Sequence, residues 1–363
     1  MARLHVIAPG ARTTVQDLGF RNARSQGVPA GGVLDRDTLF LVNALLDNPP
    51  GTEALELALT GCRMRAEAGP VRVALDGTLT GRVIAPDGSS RELAPWTATT
   101  LADGAELVLD PPRRGGTGLL GIGGGLDLPV LLESRSTSLR AGFGGVGGRA
   151  LIAGDQLELR GPEMNVAAAD RVIRRSPPPD DGSPIRVVPG PQADWFDDEA
   201  TARLFCTPYR VSAQTDRMGM RLDGPPLTFA AGKGADIISD GIAPGAIQVP
   251  GNGLPIILLA DAQTTGGYAK IATVIRADLP RLAARLPGDE IRLTPVTLLE
   301  AEALARERHA QLAAAVASIA EVTTTSLDLR ALYAVNLMSG MVDAGRPDHF
   351  DGHLFAQGDT GCA

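Results

Sequence analysis

The stretch 236–275 carries the side chains best suited to chemistry. Gln263, Thr264, Thr265, Tyr268 and Lys270 crowd together around Gly266 and Gly267, and Gln248 and Asn252 precede them. Amides, hydroxyls and an ammonium suit the binding and polarising of a small amide or carboxylate. Consecutive glycines let a backbone approach a ligand closely. Two apolar runs, Ala246–Val249 and 255–260, read as buried strands bounded by Gly, Pro and Asn. The polar segment then reads as a loop at the rim of a rigid sheet. An ordinary Gly-rich turn, with Lys270 on the surface, fits the same residues.

Other groups stand apart in the chain. Asp35 is placed to cap a helix over 36–46, with Leu39, Val42 and Leu46 on one face and Asn43 at its edge. In the alternating run 53–59, Glu56 shares a face with Ala54 and Ala58, which leaves room for a ligand to reach it. A solvent-facing Glu56 is the plainer reading. Arg217 has the fork that pairs bidentately with carboxylate or phosphate.

Several chemistries are disfavoured. Of the four histidines, His5 alone precedes the C-terminal helical segments, so a Ser-His-Asp or Cys-His engine has one candidate base. His349 and His353 lie four apart, but Gly352 between them weakens a helical metal site, and no metal is expected. Gly142, Gly144 and Gly147 match a dinucleotide spacing without opening a helix. Gly232-Lys233-Gly234 lacks the upstream glycine and following hydroxyl of a phosphate loop. Cys62, Cys206 and Cys362 are sparse and fit a reduced, cytoplasmic setting. The net charge of −8, without a dense basic run, disfavours nucleic acid and anionic membrane as partners. No apolar run approaches the roughly 20 residues of a membrane span.

The elements that position these groups are mostly strands. The 44 Gly and 27 Pro are dispersed among short apolar runs, which implies many turns between strands. Strands are expected at 3–8, 71–75, 106–109, 119–122, 156–159 and 185–188, and a polar turn at 13–19. The Pro-rich run 174–184 reads as a linker between two domains. A short helix over 278–286 would be capped by Asp278. Thr297 and Glu300 form a capping box that opens an Ala-rich helix reaching about residue 320. A second helical pattern runs through Leu329, Leu332, Tyr333, Leu337 and Met341. These tail helices read as a docking or homo-oligomer surface rather than a site.

Many short motifs occur in an order that resembles the biotin-dependent carboxyltransferase family known as allophanate hydrolase subunit 2, or KipA-like proteins. They include Thr13-Thr14-Val15-Gln16-Asp17, Ala54-Leu55-Glu56, Ser134-Arg135-Ser136-Thr137, Gly190-Pro191-Gln192 and Asp216-Arg217-Met218-Gly219. Gln248-Val249-Pro250 and, most specific, Gln263-Thr264-Thr265-Gly266-Gly267-Tyr268 with Lys270 complete the set. The resemblance runs over about residues 4–295. It implies a mainly β fold: two cyclophilin-like β-barrel domains with short helices and a C-terminal helical extension. The domains would be 1–173 and 185–295, joined by the 174–184 linker and followed by a tail over 296–363.

The same resemblance implies a component of an ATP-dependent 5-oxoprolinase, akin to the C component of that enzyme. Such a component opens a lactam together with two other proteins, one KipI-like (the B component) and one LamB/YcsF-like (the A component). ATP would be a cosubstrate of that complex. Two alternatives share the motifs: a carboxyltransferase acting on urea or a related amide, and a non-enzymatic KipA-like binder of a KipI-like kinase inhibitor. Biotin would arrive on a separate carrier, because the chain has no Met-Lys-Met attachment motif. The implied site is a cleft between the domains. Asp35, Glu56 and Lys270 would be its catalytic groups. Asn43, Arg217, Gln248, Asn252, Gln263, Thr264, Thr265 and Tyr268 would bind substrate.

Overall fold

A computed structural model describes residues 1–113, 116–160, 169–176 and 182–322. The helical pattern through Leu329 and Met341 and the pair His349 and His353 lie outside the described residues, as does part of the expected linker. Alternation builds the first half. In Arg3–Ala8, Leu4 and Val6 turn inward while Arg3 and His5 remain at the surface. This strand belongs to a six-stranded antiparallel sheet in the order Gln156–Glu158, Arg3–Ala8, Arg63–Glu67, Glu106–Leu109, Gly81–Ile84, Ser90–Leu93. A seven-stranded sheet runs Arg12–Gln16, Ala54–Ala58, Thr117–Ile122, Val71–Leu75, Thr97–Leu101, Arg171–Ile173, Ile319–Glu321. Leu4, Val6, Met64 and Leu107 of one sheet share a core with Leu55, Leu57, Val73 and Leu120 of the other.

The other face of the seven-stranded sheet carries small residues for a reason the alternation alone does not disclose. Ala54, Ala74, Ala98 and Leu119 pack there with Leu39, Val42 and Leu46 of the helix Arg36–Leu45 and its cap, and with Leu312 and Ala315 of the helix Leu298–Ala317. A methyl group on Gly121 would sit 2.9 Å from Leu46 Cδ1. The space around Glu56 is therefore filled by the chain itself. The long helix starts at the expected capping box, with Thr297 and Glu300 bonded reciprocally. It docks on the first half, and Ile319–Glu321 after it extends that half's sheet.

The second half closes on itself. Its nine-stranded sheet runs Glu290–Ile291, Tyr209–Val211, Gly219–Asp223, Ile256–Leu258, Ala246–Val249, Thr265–Val274, Ile185–Pro189, Leu293–Pro295, with Asp236–Gly241 pairing off this path. Arg292 alone separates the two end strands in the chain, so the edges are brought together. Closure of this kind removes exposed strand edges. Ile185, Val187, Tyr209, Met220, Ile247, Ile257 and Ile271 fill the interior. The result is a mixed α/β fold with one near-closed barrel sheet and a C-terminal helix.

Three local expectations are corrected. The polar run after Arg12 is a strand, Arg12–Gln16, because pairing with Ala54–Ala58 satisfies its backbone and buries Val15. Its Gln16 amide donates to Thr137 O at 3.0 Å. Asp278 does not cap a helix. It is fully buried and accepts from Arg186 N at 2.7 Å and Arg186 Nε at 3.0 Å, which ties the first barrel strand to the helix Leu279–Ala283. The segment from Thr265 onward is no loop but the ten-residue strand Thr265–Val274. Its partner Asp236–Gly241 is remote in sequence, so no local pattern announces the pairing.

Asp35 caps its helix as expected, accepting from Thr38 N at 2.9 Å and Thr38 Oγ1 at 2.8 Å. Burial pushes its carboxyl up to about 6, against the Thr38 hydrogen bonds that lower it. A raised carboxyl holds its proton longer in the folded than in the unfolded chain, so its contribution to stability falls as pH rises from about 4 to about 6. Asn is an equally good cap and does not titrate. Asp35→Asn should therefore flatten part of that fall in chemical denaturation across this window. An unchanged slope would refute the assignment.

Candidate functional site

A buried guanidinium joins the two halves. Arg217 follows the turn after Tyr209–Val211, and its fork is gripped from three sides. Its Nε donates to Asp261 Oδ2 at 2.9 Å and its Nη2 to Asp261 Oδ1 at 3.1 Å. Its Nη1 is paired with Glu56, and its Nη2 also donates to the Gly32 carbonyl. Glu56 uses its second oxygen to accept from Leu34 N at 3.0 Å. Burial lowers the Arg217 pKa, but the charges of Glu56 and Asp261 outweigh it and hold the group above its ordinary value. Nearby, Gly31 N donates to Ala260 O at 2.9 Å, and Arg24 donates to the Ile242 carbonyl. The loop before Asp35 is thus stapled to the turn that carries Asp261 and Gln263.

Beyond that turn the barrel sheet carries a buried polar cluster. Gln248 and Lys270 are direct cross-strand partners, next to a register shift between Ile247 and Gln248. Directly opposed residues share a face. Lys270 is 3% exposed and Gln248 is 2% exposed. Lys270 Nζ reaches Asp240 Oδ2 at 2.9 Å, and Lys270 N donates to Gln192 Oε1 at 3.1 Å. The hydrogen bond from Lys270 holds the Asp240 carboxyl below its ordinary value, and Gly241 N and Gln192 add to the effect.

Gln248 Nε2 is buried and donates to no acceptor among the described residues. A methyl on Gly266 would lie 2.7 Å from that nitrogen and 3.4 Å from Gln263 Nε2. Both amide groups therefore pack against Gly266, with Ile242 Cδ1 filling the rest of that side. Gly266 is also the strand partner of Asp240. An ammonium and amide donors gathered in one cluster can bind and polarise a carbonyl or carboxylate.

The structure thus gathers Gln248, Gln263 and Lys270. Tyr268, 41% exposed, and Thr265 stand on the same strand toward solvent. Thr264 contributes its carbonyl, which accepts from Ile242 N at 3.0 Å. The remaining candidates lie elsewhere. Asn43 is buried in the helix and donates to Thr52 O at 2.8 Å. Asp35 serves its cap, and Glu56 and Arg217 serve each other. Asn252 turns the chain, accepting from Leu254 N at 3.1 Å, beside a dimple of about 210 Å³ lined by Ser212, Arg221 and Asp223. Asp240 and Gln192 join this cluster, though the sequence names Gln192 only within the Gly190-Pro191-Gln192 motif and does not single out Asp240. Asp240 lies within the opening stretch, but only the strand crossing reveals that it meets Lys270. Among the described residues no cluster of His, Cys, Asp and Glu is arranged to hold a metal, and no helix is long and apolar enough to cross a membrane.

Known proteins resemble this chain in sequence and fold. The family model for the carboxyltransferase domain, subdomain A and B, matches residues 26–295. The chain is 35% identical to the C component of the 5-oxoprolinase of Escherichia coli K12, covering 82% of this chain and 93% of that protein. The corresponding 5-oxoprolinase component of Haemophilus influenzae is 33% identical with the same coverage. The solved structure of the Kluyveromyces lactis urea carboxylase superposes with a TM-score of 0.77 at 28% identity, covering 85% of this chain and 29% of that one. The chain belongs to the carboxyltransferase family of subdomains A and B, homologous to the C component of 5-oxoprolinase and to urea carboxylases.

Proposed function

We propose that this protein is the C component of an ATP-dependent 5-oxoprolinase, opening 5-oxoproline to glutamate. It would act with a KipI-like B component and a LamB/YcsF-like A component. The observation that carries this reading is the near-full-length correspondence to two 5-oxoprolinase C components, 93% of each. The urea carboxylase correspondence involves a 29% share of a longer chain. In this reading the two halves, 1–173 and 185–295, are cyclophilin-like barrels. The 1–173 half supplies the brace for a pocket built by the other.

The pocket chemistry supports a small amide bearing a carboxylate. Lys270 would pair with the carboxylate, and Gln248 and Gln263 would donate to a carbonyl oxygen that gains charge as the amide is attacked. Tyr268 would stand at the mouth. ATP would supply the activation that a resonance-stabilised lactam needs. ATP would be a cosubstrate of the whole complex. A second reading, carboxyl transfer to urea or a related amide, draws on the K. lactis similarity. Biotin would then come on a separate carrier, with its carboxyl group meeting the same donors.

The deciding assay is glutamate release from 5-oxoproline and ATP by this protein mixed with its neighbouring KipI-like and LamB/YcsF-like proteins. Turnover that disappears when this chain is omitted is expected. A stable complex without turnover would overturn the oxoprolinase reading. Gly266→Ala tests the pocket separately. The new methyl meets only side-chain ends, Ile242 Cδ1 at 2.6 Å and Gln248 Nε2 at 2.7 Å, which must shift, so stability should fall by about 1–3 kcal/mol. Turnover should fall at least tenfold, because the methyl pushes the Gln248 amide out of its place beside the substrate. Undiminished turnover would place the substrate elsewhere.

A further inference from the structure

The pocket contains an ammonium with a partner and an amide without one. Lys270 Nζ is paired at 2.9 Å with Asp240, whose own side chain is 54% exposed. A buried ammonium requires a counter-charge, whereas a carboxylate half in water does not require the ammonium. The dependence is one-sided. Gln248 Nε2, in the same recess, has no acceptor among the described residues. A buried donor left unpaired in a native structure calls for an explanation, and an absent ligand oxygen is one.

The strand that brings Asp240 in is lightly held. Among the described strands, Asp236–Gly241 pairs only with Thr265–Val274 and lies off the main strand order. Its register shifts between Asp236 and Asp240, and Ile238 in that interval is 94% exposed. Elements with few buried contacts open locally at low free-energy cost. Gln192 sits beneath, accepting from Lys270 N and hydrogen-bonded to Asp240, so the seat keeps a polar floor when Asp240 leaves.

We propose that Asp240 is an internal stand-in for the ligand's carboxylate: it occupies the anion seat of Lys270 in the free protein and is displaced when a small carboxylate-bearing amide binds. This rests on the reading of the pocket as the substrate site and adds to it a built-in competitor. The ligand's carboxylate takes the place of Asp240 on Lys270. Its carbonyl oxygen supplies the acceptor that Gln248 lacks, with the Gln263 amide packed nearby against Gly266. Asp240 thereby selects for ligands that carry both groups, because a neutral amide gains nothing by evicting a carboxylate.

The test uses the full chain and simple probes. Acetate and its neutral isostere acetamide are titrated into the wild type, Asp240→Asn and Asp240→Ser, with binding followed by NMR of the probe. L-5-oxoproline and 2-pyrrolidinone, the same lactam without its carboxylate, form a second pair. Both variants should bind acetate and 5-oxoproline at least tenfold more tightly than the wild type, with acetamide and 2-pyrrolidinone changed less than twofold. Adding Lys270→Met should abolish the gain. Equal or weaker acetate binding in both variants, with wild-type circular dichroism and melting, would overturn the proposal. Such a result would make Asp240 a fixed part of the seat. Should Asp240→Asn fail to fold, Asp240→Ser decides. Tighter acetate without tighter 5-oxoproline would keep the stand-in and refute the lactam as its ligand.

Discussion

Arg217→Ala should cost about 3–5 kcal/mol of folding stability, the range for breaking a buried ion pair by removing one partner. The substitution leaves Glu56 buried with one oxygen unpaired and frees both oxygens of Asp261. It also removes the donor to Gly32 O, so the loop before Asp35 loses its tie to the barrel. Removal of all three partners of one guanidinium is the reason for placing the loss near the upper part of that range. Arg217→Lys should recover little, because a point charge cannot serve two carboxylates and a carbonyl with fork geometry. Urea denaturation of the three proteins measures the difference. A loss below about 1 kcal/mol for Arg217→Ala would mean that the cluster is no stronger than a surface pair.

Lys270→Ala should have the opposite profile. Its partner Asp240 is half in water and tolerates the loss, so the melting temperature should move little. In the reconstituted complex, kcat/KM for 5-oxoproline should fall about 10²–10³-fold, the usual effect of deleting one preorganised charged or hydrogen-bonding group. Gln248→Ala should lower activity in the same direction, since Gln248 holds the unpaired donor beside it. Arg217 and Lys270 thus separate two jobs that the sequence places side by side as candidates. One cation joins the halves, and the other faces the recess. Activity within twofold of wild type for Lys270→Ala would remove the pocket from the reaction.

The family was legible in the chain. The run from Gln263 to Lys270 combines amides, hydroxyls and a cation around two glycines, and such a combination is rare enough in ordered motifs to carry meaning without coordinates. Local signals also held where the physics is local. Asp35 caps its helix and Thr297 with Glu300 closes a capping box, because both depend on residues three apart. Strands such as Arg3–Ala8 and Val71–Leu75 were readable from apolar periodicity and composition.

The chain by itself therefore determined which chemistry is available and where the strands with clear apolar patterning lie, but not the strands Arg12–Gln16 and Thr265–Val274. Tertiary structure alone decided which charges meet. Glu56 and Arg217 are separated by 161 positions, and their pairing depends on how two halves dock. Asp240 and Lys270 are separated by 30 positions, and their contact depends on the register of a shifted strand pair. Side-chain partnerships across a sheet follow from register, and a slip of one residue would turn every side chain to the other face. Register is set by the summed packing of both halves. For that reason Glu56, which reads as an open carboxylate in the sequence, is in the folded protein half of a buried brace.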